Sequence, residues 1–178
     1  MRTNSLTLDA SAPPIAYKVA MQTTYPSWGQ QLALGATTMW ECWMYPRSNN
    51  HYFMGTIDEW FFKHLAGIRD VKDGFREFTV KPYPVGDLSY ARAKLETVRG
   101  LVASAWTREP GKEFRLEVTV PVNATATVYV PAGVGDVVQE GDRAAAEAPG
   151  VQFLRQADGY AVYRVLSGTY AFRVNNSG

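Results

Sequence analysis

The chain has 178 residues, 46% of them hydrophobic and 13% aromatic, with a formal net charge of +1. That composition excludes a disordered chain and suffices for one good core, or for one domain and part of another. The near-neutral charge, with no basic patch among the aromatics, lacks the electrostatic footprint of nucleic-acid binding, and the single Cys42 excludes an internal disulfide or a cysteine-pair metal site.

Residues 1–12 are polar and unpatterned and read as a flexible leader. They lack the charged stretch followed by an apolar one that marks a secretory signal. No run of about 18 apolar residues follows, so no membrane span is expected and the compartment is left open. Pro13-Pro14 opens a short helix to Met21, with Ile15, Val19 and Ala16 on its apolar face. Thr24 or Ser27 can cap a second helix from Trp28 to Leu34, which Gly35 stops. The stretch from Thr37 to Trp43 is β-branched and aromatic, extended or irregular, and Pro46 to Asn50 is a loop. Asn50 suits the N-cap of a third helix, in which Phe53, Ile57, Trp60, Phe61, Leu65 and Ile68 form an apolar stripe and Gly67 is the C-cap.

After Gly74 the period changes from 3.6 to 2. Phe114, Leu116, Val118 and Val120 alternate with Arg115, Glu117 and Thr119. Similar patterns recur at 75–81, 88–97, 100–107, 124–130, 151–156, 160–166 and 169–174, with Asp158-Gly159 and Ser167-Gly168 as hairpin turns. Gly141 to Gly150 reads as a surface loop. The fold class is therefore α+β: a helical segment over 13–70, then an antiparallel β-sandwich over 71–178.

The residues that invite chemistry gather at Trp40-Glu41-Cys42-Trp43 and at His51. A carboxylate between indoles can have its pKa tuned by an apolar collar, and flat aromatic faces suit the C–H faces of a sugar. A core strand with one charged residue turned to water would look the same. If the stretch were a strand, Glu41 would share a face with Trp43, a sugar-stacking wall, while Trp40 packed inward. Trp28 fits either helix packing or a cleft. Cys42 reads as a buried thiol, His64 as a residue suited to a helix C-terminus, Asp58 and Glu59 as a solvated helix face, and Asp87 as a turn cap.

Tyr25-Pro26-Ser27-Trp28-Gly29, Gly35-Ala36-Thr37-Thr38-Met39-Trp40-Glu41, Asn50-His51-Tyr52 and Gly55 to Gly67 resemble, in that order, the last part of bacterial α-L-rhamnosidases. Val80-Lys81-Pro82, Val85-Gly86-Asp87-Leu88 and Ala103-Ser104-Ala105-Trp106 resemble that family's C-terminal β domain. The resemblance implies that residues 13–70 are the last helices of a catalytic (α/α)6 barrel. It also implies an inverting glycoside hydrolase in which Glu41, at the Glu of Thr-Thr-x-Trp-Glu, is the general base. His51 takes the functional position of Asn-His-Tyr, with Trp43, Trp40 and Trp28 as further sugar contacts. No cofactor or metal is implied. Cys42 stands where relatives often carry Arg, and the segment from Glu41 to His51 is shorter than usual. The family's general acid lies upstream of the matched region, and no local residue replaces it.

Two readings follow. One is the C-terminal portion of an enzyme cleaving terminal α-L-rhamnosides, inactive as this stretch alone and partnered by rhamnose-containing glycosides. The other is a non-catalytic carbohydrate-binding or structural β-sandwich, with Tyr83, Tyr90, Tyr129 and Tyr163 as a sugar platform. A few barrel helices cannot bury their inner stripes. The face with Trp28, Phe53, Ile57, Trp60 and Phe61 is expected to pack on the β domain, to self-associate, or to meet the rest of a barrel.

Overall fold

A computed structural model of the chain describes residues 13–44 and 47–175. The expected leader and Pro46 lie outside the described residues. The described residues divide into two compact units, one ending at Phe61 and the other beginning at Phe62.

The first unit holds α1 (Pro13–Ala20) and α2 (Trp28–Ala33). A third helix begins as a 3-10 turn (Tyr52–Thr56), continues as α3 (Ile57–Trp60) and widens into a π turn (Phe61–Leu65). His51, not Asn50, is its N-cap. The apolar stripes are only partly used. On α1 the buried residue is Ala16, while Ile15 and Val19 are exposed. On the third helix Ile57 and Trp60 are buried, whereas Phe53 is 59% exposed and Phe61 is exposed as well. Periodicity locates an apolar side; it does not show that anything covers it. Ile68, expected to end this stripe, is instead the first residue of a strand.

The second unit is a β-sandwich. One sheet has the order β1-β2-β6-β10-β9, from β1 (Ile68–Lys72), β2 (Glu77–Val80), β6 (Thr125–Pro131), β10 (Tyr160–Val165) and β9 (Val151–Ala157). The other has the order β3-β4-β5-β11-β7-β8, from β3 (Tyr90–Thr97), β4 (Gly100–Glu109), β5 (Glu113–Val120), β11 (Gly168–Asn175), β7 (Val138–Glu140) and β8 (Arg143–Ala144). Inward residues of both sheets form one core. Phe114, Leu116, Val118 and Val120 of β5 meet Ala126, Val128 and Val130 of β6, and Tyr163 of β10 stacks on Phe172 of β11 at 5.6 Å. The alternation of β5 is as the sequence predicts.

Three expectations for this half are corrected, and one element is new. The pairing is antiparallel except between β2 and β6, which run parallel because the chain builds β3, β4 and β5 in the other sheet before returning beside β2. Ser167-Gly168 is not a hairpin turn: it carries the chain from β10 in one sheet to β11 in the other. The stretch 141–150 is not a plain loop, since it contains β8 and a 3-10 turn (Ala145–Glu147) whose Ala145 enters the core. The bulged β1, with Asp70 at φ 54°, has no counterpart in the sequence reading. By contrast, Asp158-Gly159, both at positive φ, does join β9 to β10 as an antiparallel hairpin.

Candidate functional site

The site is built from α2 outward. Ser27 caps that helix, its hydroxyl accepting the Gln30 N–H at 3.0 Å. At the far end the Gly35 N–H donates to Leu32 O and the Ala36 N–H to Gln31 O, each at 2.9 Å, with Gly35 at φ 86°. That pair of bonds is a Schellman ending, and it needs a left-handed residue where the glycine stands. It releases the chain into the stretch that carries Glu41.

That stretch is irregular, a run of bends instead of a strand. The alternation argument for Trp40 and Trp43 therefore does not apply. The chain is held against the approach to the third helix: the Glu41 N–H donates to Ser48 O at 3.0 Å, the His51 N–H donates to Met39 O at 2.8 Å, and the Thr38 hydroxyl donates to Asn49 O. Glu41 and His51 thus sit on two bonded limbs of one loop. Glu41 is half-buried, and among the described residues no hydrogen bond or ion pair engages its carboxylate.

His51 Nδ1 accepts the Phe53 N–H at 3.3 Å and so caps the third helix. Accepting there requires the Nδ1 lone pair, so the neutral ring carries its proton on Nε2, which remains a donor. The imidazole stacks on Tyr52, 5.4 Å between centroids and 6° from parallel.

The indole of Trp28 meets Trp43 edge to face at 5.1 Å, and its Nε1 donates to Met54 O at 3.1 Å. Trp28 and Trp43 are therefore packing partners that tie the two limbs together. Trp40 is half-buried. Cys42 is partly exposed and not the buried thiol expected; its Sγ donates to Met44 O at 3.0 Å. Asp58 and Glu59 are exposed, as a solvated face requires.

Sequence reasoning missed Gln31, a buried residue whose Nε2 donates to Cys42 O at 3.1 Å. Its one signal was position: it lies three residues after Trp28, hence on the same side of α2. Arg108 was missed as well. Its guanidinium donates to the carbonyls of Pro84, Gly86 and Leu88 and holds the loop that contains Asp87.

The expected tyrosine platform is not assembled. Tyr163 is 4% exposed and lies in the core. Tyr129 has Lys81 Nζ 4.8 Å from its ring centroid and accepts a hydrogen bond from Arg155 at 3.2 Å. Tyr129 and Arg155 are the cross-strand partners of Val162 on its two sides. Their bond spans that valine, which is 0% exposed although it faces away from the core.

Two family models match the chain. Residues 4–65 match the bacterial alpha-L-rhamnosidase 6 hairpin glycosidase domain, and residues 67–145 match the bacterial alpha-L-rhamnosidase C-terminal domain. An alpha-L-rhamnosidase of Streptomyces avermitilis is 36% identical over 177 residues, which is 93% of this chain and 16% of that protein. The structure of alpha-L-rhamnosidase from Dictyoglumus thermophilum superposes with a TM-score of 0.81 at 38% identity, over 92% of this chain and 19% of the other. The Streptomyces avermitilis enzyme complexed with L-rhamnose gives 0.78 at 35% identity, over 90% and 16%. The chain thus spans 16–19% of the length of these proteins. With its helical part matched by one domain of these enzymes, its β part by the next, and both superposing on their solved structures, the chain belongs to the bacterial α-L-rhamnosidase family, as the end of the six-hairpin domain and the C-terminal β domain.

Proposed function

We propose that this chain is the C-terminal part of an inverting glycoside hydrolase that removes terminal α-L-rhamnose, and that Glu41 is its water-activating carboxylate. In such a reaction water attacks the anomeric carbon as a carboxylate takes its proton, while a second carboxyl group protonates the departing oxygen from the opposite face. The two stand roughly 6.5–9.5 Å apart to admit the water. One observation carries the reading: among the described residues Glu41 has no cation or donor committed to its oxygens, and its limb is bonded to the one that carries His51. His51 would use its free Nε2–H toward a sugar hydroxyl, and Trp40 and Trp43 would wall the cleft, with Trp28 behind Trp43. The substrate class follows the relatives, one of which holds L-rhamnose.

The helical part up to the turn at 65–67 would belong to the catalytic domain and the strands to the C-terminal domain. Among the described residues none is placed to be the acid, so on this reading the chain alone is expected to be inactive. Its exposed helical apolar side chains would be covered by the other hairpins of the domain or, in the isolated chain, by a second copy. The test is release of an aryl alcohol from an aryl α-L-rhamnoside, by this chain and by the longest polypeptide its coding region specifies. Activity in the longer polypeptide, reduced about 10²–10⁴-fold by Glu41→Gln, is the expected result. A longer enzyme that is indifferent to Glu41→Gln removes the base assignment.

A further inference from the structure

Gln31 is 4% exposed, an uncommon place for a glutamine. A buried amide is tolerated when its polar atoms are paired, and here both its side chain and its main chain are used. Its main-chain carbonyl accepts the Ala36 N–H at 2.9 Å, and its Nε2 donates to the Cys42 carbonyl at 3.1 Å. One residue of α2 therefore holds both ends of the irregular stretch 36–42. Glu41 lies directly before the anchored carbonyl. The held carbonyl belongs to the peptide between Cys42 and Trp43; no ladder or helix fixes that peptide, so its plane, and the path of the chain leaving Glu41, depend on individual bonds of this kind. Trp28, on the same side of α2, bonds the third helix through Met54 O.

We propose that Gln31 is a positioning residue for Glu41: its amide N–H fixes the Cys42 carbonyl, and with it the backbone direction from which the Glu41 side chain departs. The inference rests on the reading of Glu41 as the base and adds what aims it. The chemistry demanded at position 31 is narrow. A donor must meet a carbonyl oxygen from a side chain nearly closed to solvent, and a carboxylate there would repel that oxygen.

Two variants separate this role from simple packing. Gln31→Met keeps the bulk and removes the donor. Gln31→Glu keeps the shape and donates only when its carboxyl is protonated. The experiment is amide NMR of the full chain across pH. In Gln31→Met the Glu41, Cys42 and Trp43 amides are expected to shift or broaden, while those of β4 and β5 stay in place. Gln31→Glu should match Gln31→Met at pH 7 and return toward the unsubstituted chain as its carboxyl protonates, near pH 4 for an ordinary glutamate. The same titration of Gln31→Met records the change due to Glu41 itself and is subtracted. Unmoved Glu41–Trp43 amides in Gln31→Met, or no acid recovery in Gln31→Glu, overturns the proposal. If Gln31→Met melts the first unit, acid recovery of Gln31→Glu still supports it, and failure of both variants at every pH overturns it. The readout is geometry and not hydrolysis, so a failed Glu41→Gln assay would overturn the base assignment while leaving this result to stand or fall separately.

Discussion

Ser104 lies fully buried on β4, and its hydroxyl donates to Ala66 O at 2.7 Å; two residues along, Trp106 Nε1 donates to Leu65 O at the same distance. Leu65 is the last residue of the π turn and Ala66 follows it, where a helix end leaves acceptors without partners. Ser104→Ala removes a donor without adding bulk and leaves Ala66 O desolvated, a loss of about 1–3 kcal/mol. Trp106→Phe loses its donor and opens a gap beside Phe114, for about 2–4 kcal/mol. Urea unfolding should show both, and a Ser104→Ala chain as stable as the original would mean that the bond contributes nothing. A second residue-scale effect depends on pH. Burial pushes the Tyr160 phenol up to about 12, with Tyr83 adding to the rise and Arg69 opposing it. Its hydroxyl donates to Pro82 O at 3.1 Å, which also requires the protonated form. The folded-state pKa lies above the unfolded one, so this stability is fully present below pH 10 and is lost as pH rises toward 12. The loss amounts to about 2–3 kcal/mol. Unfolding curves at pH 8 and pH 11.5 should show it, and Tyr160→Phe should flatten the alkaline fall while lowering stability at pH 8.

At the scale of elements, the end of the third helix is closed by the β domain and not by a cap of its own. His64 O takes the Tyr83 N–H and Gly67 O takes the Lys81 N–H, each at 2.9 Å, so with Ser104 and Trp106 four successive carbonyls are paired. Such closeness leaves no room at Gly67: a Cβ there would lie 2.3 Å from Lys81 C and from Pro82 N. Gly35 has nearly the same φ, 86° against 84°, but nothing within 4 Å of its would-be Cβ. The two glycines therefore separate conformational strain from steric exclusion. Gly35→Ala should lower stability by the strain alone, about 1–2 kcal/mol. Gly67→Ala should cost several times that, because backbone must move. Thermal unfolding of the two variants checks the ordering, and equal losses would refute the steric account. Both glycines were legible as helix stops because a left-handed stop is a local event. The Ser27 cap, the alternation of β5 and the Asp158-Gly159 turn were legible for the same reason. What stayed hidden depends on distant partners. Ile68 continues a helical spacing yet pairs with Val80 in a sheet, and Ser167-Gly168 looks like a hairpin turn until the strands beside it fall in different sheets. Gln31 and Arg108 act on carbonyls 11 and at least 20 residues away, where no short-range period registers them.

At the scale of the whole chain, apolar burial is unevenly shared. The common core runs from Ile68 to Val174 and includes no residue of the first unit. Among the described residues before Phe62, the buried hydrophobic ones are Ala16, Ile57 and Trp60. Ile15, Val19, Met21, Leu32, Leu34, Tyr52 and Phe53 all remain exposed there. Scattered surface apolar residues are ordinary, but this many within one short helical segment form the kind of surface that seeks a cover. A net charge of +1 supplies almost no repulsion to oppose contact between copies. If the proposed rest of a six-hairpin domain is the natural cover, the isolated chain must satisfy the same surface by self-association. Its mass by light scattering should then rise with concentration, and an apolar dye should bind at the lowest concentrations and be displaced as copies associate. Charging the surface with Leu32→Glu, Leu34→Glu and Phe53→Glu together should hold the chain monomeric without shifting the unfolding of the β-sandwich, to whose core none of the three contributes. A chain that stays monomeric at high concentration and binds no dye would show that these side chains need no partner, and would remove this support for a larger helical domain around them.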